Sequence, residues 1–174
     1  SISDDGRYVA FTSAATNLVL GDDPASDVFV HDRLAHTTAL VSTGYREQSF
    51  PDPFTGGPET SNVVYPVISG DGTTVAWNVE ARLLVAVVFV PTGPWVARVG
   101  APPESRSNRA WAGPPSLSDD GNRVAHSSFD LPGGGFDVDY ESIVADVSTG
   151  AVVRIADAGT LNIEGTNAPS VAIS

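Results

Sequence analysis

Cysteine, methionine and lysine are all missing from this sequence of 174 residues. Without cysteine, disulfide scaffolds and thiolate chemistry are excluded, while the compartment stays open. Without methionine, the sequence does not begin at a start codon. Ser1-Ile2-Ser3 resembles neither a signal peptide nor a transit peptide, so a processed or excised chain is expected. Positive charge is scarce: the nine basic residues are all arginine, set against 21 acidic ones, for a net charge of −12. Such a chain repels phosphate backbones and anionic bilayer surfaces, which argues against nucleic acid as a partner. Long apolar runs are missing too. The longest, Leu83 to Val90, falls well short of the ~18 residues that span a bilayer, so no membrane insertion is expected. Its β-branched content reads as a buried strand. Charged residues are only 17% of the chain, whereas Gly (17) and Pro (13) are plentiful, a balance that favours short strands and tight turns over helices.

What is present is an internal repeat. SISDDGRYVAFTS from Ser1, PVISGDGTTVAWN from Pro66 and PSLSDDGNRVAHSS from Pro115 share Ser, any residue, Asp-Gly, two residues, Val-Ala and then a ring. A truncated further copy is expected near the end, where residues 165–174 offer a first strand for another unit. Asp-Gly between apolar runs is a hairpin signal, because the tight turn needs a positive φ that glycine tolerates. Asp5-Gly6, Asp71-Gly72 and Asp120-Gly121 are thus expected to turn a first strand into a second. In that second strand Val9, Val75 and Val124 share a face with Phe11, Trp77 and His126, and Ala10, Ala76 and Ala125 point the other way. A strand apolar on both faces is packed on both faces.

Two more strands are expected in each unit. The third is Asp27–Asp32, Val85–Val90 and Ser142–Asp146 in turn, and the fourth is Thr38–Ser42, Trp95–Gly100 and Val152–Ala156. On this alignment Arg98 matches Arg154, and Pro91 stands where Asp32 and Asp146 stand. The expected fold is all-β: a β-propeller segment of three four-stranded antiparallel blades at about 1–42, 63–100 and 114–156. Three blades do not close a ring of ~4–8. The segment is expected to belong to a longer ring, or to pair with a second copy as a homodimer that completes one. Long links at Thr43–Val64, Ala101–Gly113 and Asp157–Thr166 are expected on the ring faces, carrying Trp111, Arg106 and Arg109.

The run SISDDGRYVAFTSAATNLVLGDDPASDVFVHDRLAHTTALVS resembles the TolB-like (WD-repeat-like) β-propeller repeat, with its S-x-DG-R-x-[VI]-A-F element and the third-strand D-V-F-V-x-D. The likeness is strongest in the first unit and partial in the second. It implies a six- or seven-bladed ring in an exported, extracellular or periplasmic protein, serving as a non-catalytic binding or scaffolding module with a protein partner. It also leaves room for the propeller domain of a larger peptidase or polysaccharide-acting enzyme.

Chemical motifs are sparse. His31, His36 and His126 show no zinc-ligand spacing, and His126 reads as a packed ring in the slot of Phe11 and Trp77. No G-x-S-x-G elbow occurs. Carboxylates cluster in GDDPASD (Asp22, Asp23, Asp27) and in FDLPGGGFDVDYE (Asp130, Asp137, Asp139, Glu141), both placed between the second and third strands. Asp22, Asp23, Asp27, Asp137 and Asp139 are the candidate calcium ligands, which would make the chain a calcium-stabilised surface or adhesion module. The competing reading has them bonding their own turn backbones. Asp32 and Asp146 read as structural, accepting bonds from the turn that follows or from a hydroxyl of the next strand.

Overall fold

The computed structural model describes residues 1–20, 26–42, 50–51, 58–59, 61–81, 94–105, 110–111, 113–130 and 137–162. Every regular element among them is a strand. Three antiparallel sheets follow one another along the chain, each opened by one Ser-x-Asp-Gly turn.

The first sheet is β1 (Tyr8–Ser13), β2 (Asp27–Asp32) and β3 (Thr37–Leu40), in that order. An Ile2–Val9 bridge adds the start of the chain as its inner strand. In the connection that follows, β4 (Phe50–Pro51) and β5 (Pro58–Glu59) form a short ladder. The second sheet is β6 (Ser61–Ile68), β7 (Thr74–Ala81), β8 (Trp95–Arg98) and β9 (Glu104–Ser105). The pairing of β6 with β7 slips between Val64 and Val67, and Tyr65 in this bulge has φ 55°. In the third sheet β10 (Ala110–Trp111) and β11 (Ser116–Leu117) together make an interrupted inner strand. Both pair with β12 (Arg123–Asp130), which is followed by β13 (Asp137–Asp146) and β14 (Val152–Asn162).

One strand assignment differs from the sequence reading. Trp95–Gly100 was expected as the fourth strand of its unit, yet Trp95–Arg98 pairs directly with β7, with Trp77 opposite Trp95 and Thr74 opposite Arg98. It therefore takes the third place, and β9 takes the fourth. The expected third strand, Val85–Val90, lies outside the described residues. Arg98 thus stands where Asp32 and Asp146 stand, because these three pair with Thr74, Tyr8 and Arg123 at equivalent points. Pro91, expected at that place, lies outside the described residues, and Arg98 is not the counterpart of Arg154. The physical reason is fit. Tight layers on both sides of the sheet accept the alternating Val96 and Ala97, one for each face, whereas apolar content alone favoured the longer run. The fourth strand of the third unit is also longer than expected, since Asp157–Asn162 continues β14.

The core lies between the sheets. Ala10, Val28 and Val30 of the first sheet pack against Ile68, Val75, Trp77, Val79 and Ala97 of the second. Ala76 and Val96, on the opposite face of that sheet, pack against Leu117, Val124, Ala145 and Val147 of the third. The alternation read from the sequence is thereby realised: Val75 and Trp77 face one neighbour, Ala76 the other. A methyl is all that the layer accepts at Ala10, Ala76 and Ala125, each at most 1% exposed. Enlarging Ala76 to Leu is expected to overpack this layer and cost ~1–3 kcal/mol, read as a lowered midpoint in chemical denaturation at unchanged slope.

Candidate functional site

The three turns are built alike. In the first, the Ser3 hydroxyl donates to Asp5 Oδ1 at 2.7 Å and accepts the Tyr8 N–H at 3.0 Å, while the Arg7 N–H donates to the same carboxylate at 2.9 Å. Ser69 and Asp71 repeat the circuit with Thr73 and Thr74, and Ser118 and Asp120 repeat it with Asn122 and Arg123. The glycines have φ 68°, 73° and 65°, which supplies the positive-φ corner. The buried serine hydroxyl is donor and acceptor at once, giving its proton to the carboxylate and taking a backbone N–H.

These turns stand side by side. Asp4 N–H donates to Gly70 O at 3.0 Å, and Asp71 N–H donates to Asp119 O at 2.8 Å, so a backbone relay links the three blades. Gly70 lies between the flanking turns: a Cβ there would overlap the Asp4 carboxylate and stand 3.2 Å from Asp119 Cα. The result is a row of exposed carboxylates at Asp4, Asp5, Asp71, Asp119 and Asp120. Three of them are tuned by the turns. Asp5 is held below its ordinary value by the Ser3 hydroxyl and the Arg7 N–H. At Asp71 burial pushes upward, and the Ser69 and Thr73 hydrogen bonds outweigh it. Asp120 is pulled down to about 2 by the Ser118 hydroxyl and by Asn122. These groups favour the folded state above pH 3.8, and that contribution is lost as pH falls through the folded values.

The carboxylates that close the third strand are consumed locally as well. Asp32 takes Arg7 Nε and Nη2 in a forked pair, at 2.7 Å for the closest contact, and accepts Leu34 and Ala35 N–H groups. The Arg7 bonds are the chief cause of its acidity. Asp146 accepts the N–H and hydroxyl groups of both Ser148 and Thr149. These hydroxyls come from the turn itself and not from the next strand. Arg98, lacking a carboxylate, reaches across to Asn122 Oδ1 of the third blade at 2.9 Å. The Arg7–Asp32 clamp went unseen in the sequence. The signal was present, since Arg7 follows Asp5-Gly6 and Asp32 ends the strand paired with Tyr8, but it depends on register.

Among the candidate calcium ligands, Asp27 begins β2, and its Oδ1 accepts the Ser42 hydroxyl, which also takes the Val28 N–H. Asp137 and Asp139 lie within β13, opposite Asn162 and Thr160, and Asp139 also faces Asp130 of β12. They are strand residues and not loop residues, because β13 continues pairing past its expected start, with β12 at Asp139 and with β14 at both positions. Asp22 and Asp23 lie outside the described residues. The two clusters occupy different blades, and among the described residues no three His, Asp or Glu side chains are grouped to hold a metal. His31 Nδ1 shares a 3.0 Å hydrogen bond with Thr38, and His36 sits in a turn with φ 54°. Trp111 is part of β10, while Arg106 and Arg109 lie outside the described residues.

No family model and no curated protein matches the chain. Solved structures do. The protein described as TolB from Agrobacterium tumefaciens superimposes with TM-score 0.53 at 18% identity, over 91% of this chain and 48% of that one. TolB from Acinetobacter baumannii superimposes with TM-score 0.51 at 12% identity, over 88% and 30%. This chain is a segment of a β-propeller. It spans about half the length of the first TolB structure and less of the second, and its three sheets are three blades.

The inter-blade packing of these turns is open to a differential test. Gly72 packs on Tyr8 of the preceding blade and Gly121 on Thr74, whereas a Cβ on Gly6 would meet only ordinary contacts, the nearest at 3.6 Å. Gly6→Ala is expected to cost the left-handed backbone strain alone, ~1–2 kcal/mol. Gly72→Ala adds overlap with Tyr8 and is expected to cost ~1–3 kcal/mol more. Equal losses in the two denaturation curves would remove the packing role.

Proposed function

We propose that this chain is a non-catalytic binding module of the TolB-like repeat type, and that its partner is a protein with a basic surface. The observation that carries the reading is the row of turns. The backbone relay gathers their carboxylates along one line, and hydrogen bonding keeps Asp5, Asp71 and Asp120 ionised while Asp4 and Asp119 remain exposed. A net charge of −12 adds long-range attraction for a cationic partner. Asp5, Asp32, Asp71, Asp120 and Asp146 are spent on turns and clamps, which favours a surface role over acid–base chemistry. Export to the periplasm or beyond is part of the proposal and rests on the TolB resemblance.

The ring is completed by further blades, of a longer chain or of a second copy. Val153 and Ile155 are 63% and 57% exposed, and with Val144 they line an open hollow on the third blade beside Arg123. Arg123 occupies the position at which Tyr8 and Thr74 receive the glycine of the following blade.

The experiment uses a partner isolated by crosslinking to the intact protein. Asp4→Asn with Asp119→Asn leaves the turn bonds in place, because those run through the backbone and through Asp5, Asp71 and Asp120. The double variant is expected to bind roughly tenfold more weakly, with a shallower salt dependence. Unchanged affinity that is also insensitive to salt would refute the turn row as the binding surface.

A further inference from the structure

His126 is fully enclosed, at 0% exposure, and neither of its ring nitrogens has a hydrogen-bond partner. Its place in the fold follows from the pleat. Val124, two residues before it on the same face, belongs to the cluster joining the second and third blades. His126 therefore enters the layer between those blades. Asn78 enters the same layer from the other side, two residues beyond Ala76. Its Nδ2 donates to Gly113 O at 2.8 Å, and its buried Oδ1 is unpaired. The equivalent ring in the second blade is Trp77, which closes the layer between the first and second blades. One of the two joints is thus closed on an indole and the other on an imidazole.

We propose that the joint between the second and third blades is acid-sensitive, with His126 as the group whose protonation loosens it. A neutral imidazole is tolerated there as a packed ring. An imidazolium would be a buried charge helped only by the Ser127 backbone, which does not offset the loss of water, and burying such a charge is costly.

The surroundings offer little compensation. On the same sheet, β13 carries Glu141 two residues from Ile143, the cross-strand partner of His126, but its carboxylate is paired with Arg154 at 2.6 Å. From the second blade the layer receives Thr74, Ala76 and Asn78 of β7, Val67 of β6, and Val96 and Arg98 of β8. Among the described side chains there, two are charged: Arg98, a cation that bonds Asn122, and Glu104 of β9, opposite Val96 at the exposed rim of the layer. From β11 the neighbour is Leu117.

Burial accordingly pushes His126 from 6.5 down to about 4. The unfolded chain binds the proton more readily than the folded one, so the stabilisation is complete above pH 6.5. It is lost as pH falls from there towards about 4. That window lies above the one set by the turn carboxylates.

The test is hydrogen exchange on the intact protein, corrected for the intrinsic effect of pH on exchange. On acidification from pH 6.5 to about 4, amides of β8 and β11 are expected to exchange roughly 10–100-fold faster, while those of β1 and β2 keep their protection. His126→Phe, which installs the ring found at Phe11, is expected to abolish the change. His126→Gln serves as a second, non-titrating variant should the first fail to fold. An NMR titration of His126, assigned by the loss of its signal in either variant, is expected to place it well below 6.5. An ordinary imidazole titration for His126, or acid-accelerated exchange that persists in the non-titrating variants, overturns the proposal.

Discussion

The molecule depends on how closely the turn of one sheet can approach the sheet before it. Gly72 and Gly121 have no side chain where the preceding blade presents Tyr8 and Thr74, and Gly70 leaves room for two flanking turns at once. Small residues at Ala10, Ala76 and Ala125 extend the same economy of volume along the second strands. Apolar burial between sheets provides the driving force. The small residues decide that it is satisfied by stacked blades, because bulk at these points would hold the sheets apart.

A second constraint governs the polar groups. Each Ser-Asp pair takes up N–H groups of its own turn, the serine hydroxyl one and the carboxylate another, while the relay ties the Asp4 and Asp71 N–H groups to the next sheet. Asp32 and Asp146 do the same at the far end of the third strand, the first by gripping Arg7 and the second by holding its own turn. Much of the acidity of this chain thus serves the backbone. What remains is an exposed negative row in which the turns keep Asp5, Asp71 and Asp120 ionised. The same logic explains the contrast with His126, the buried titratable ring that lacks such provision.

The hairpins, the two-faced second strands and the blade-like repeat were legible because each depends on neighbours within a few residues. Asp5-Gly6 announces its turn whatever lies beyond it. Strand order in the second blade was not legible in this way. Apolar content favoured Val85–Val90, whereas pairing with β7 is made by Trp95–Arg98, whose fitness depends on the two layers it must fill. The identity of Arg98 as the counterpart of Asp32 follows from that register alone. The acidic segments between second and third strands were read as loops because Asp is a poor strand former. Continued pairing of β13, with β12 at Asp130 and Asp139 and with β14 at Asp137 and Asp139, overrides that propensity.

The sequence by itself determined the class of the fold, since Ser-x-Asp-Gly and alternating apolar residues encode turns and faces through local φ and pleat. Tertiary structure alone decided which strands are neighbours, that Arg7 clamps Asp32, that the three turns are tied into one row, and that His126 is sealed away from water. Each of these joins residues distant along the chain, and it is the packing of one blade on another, with the register that packing enforces, that brings them together.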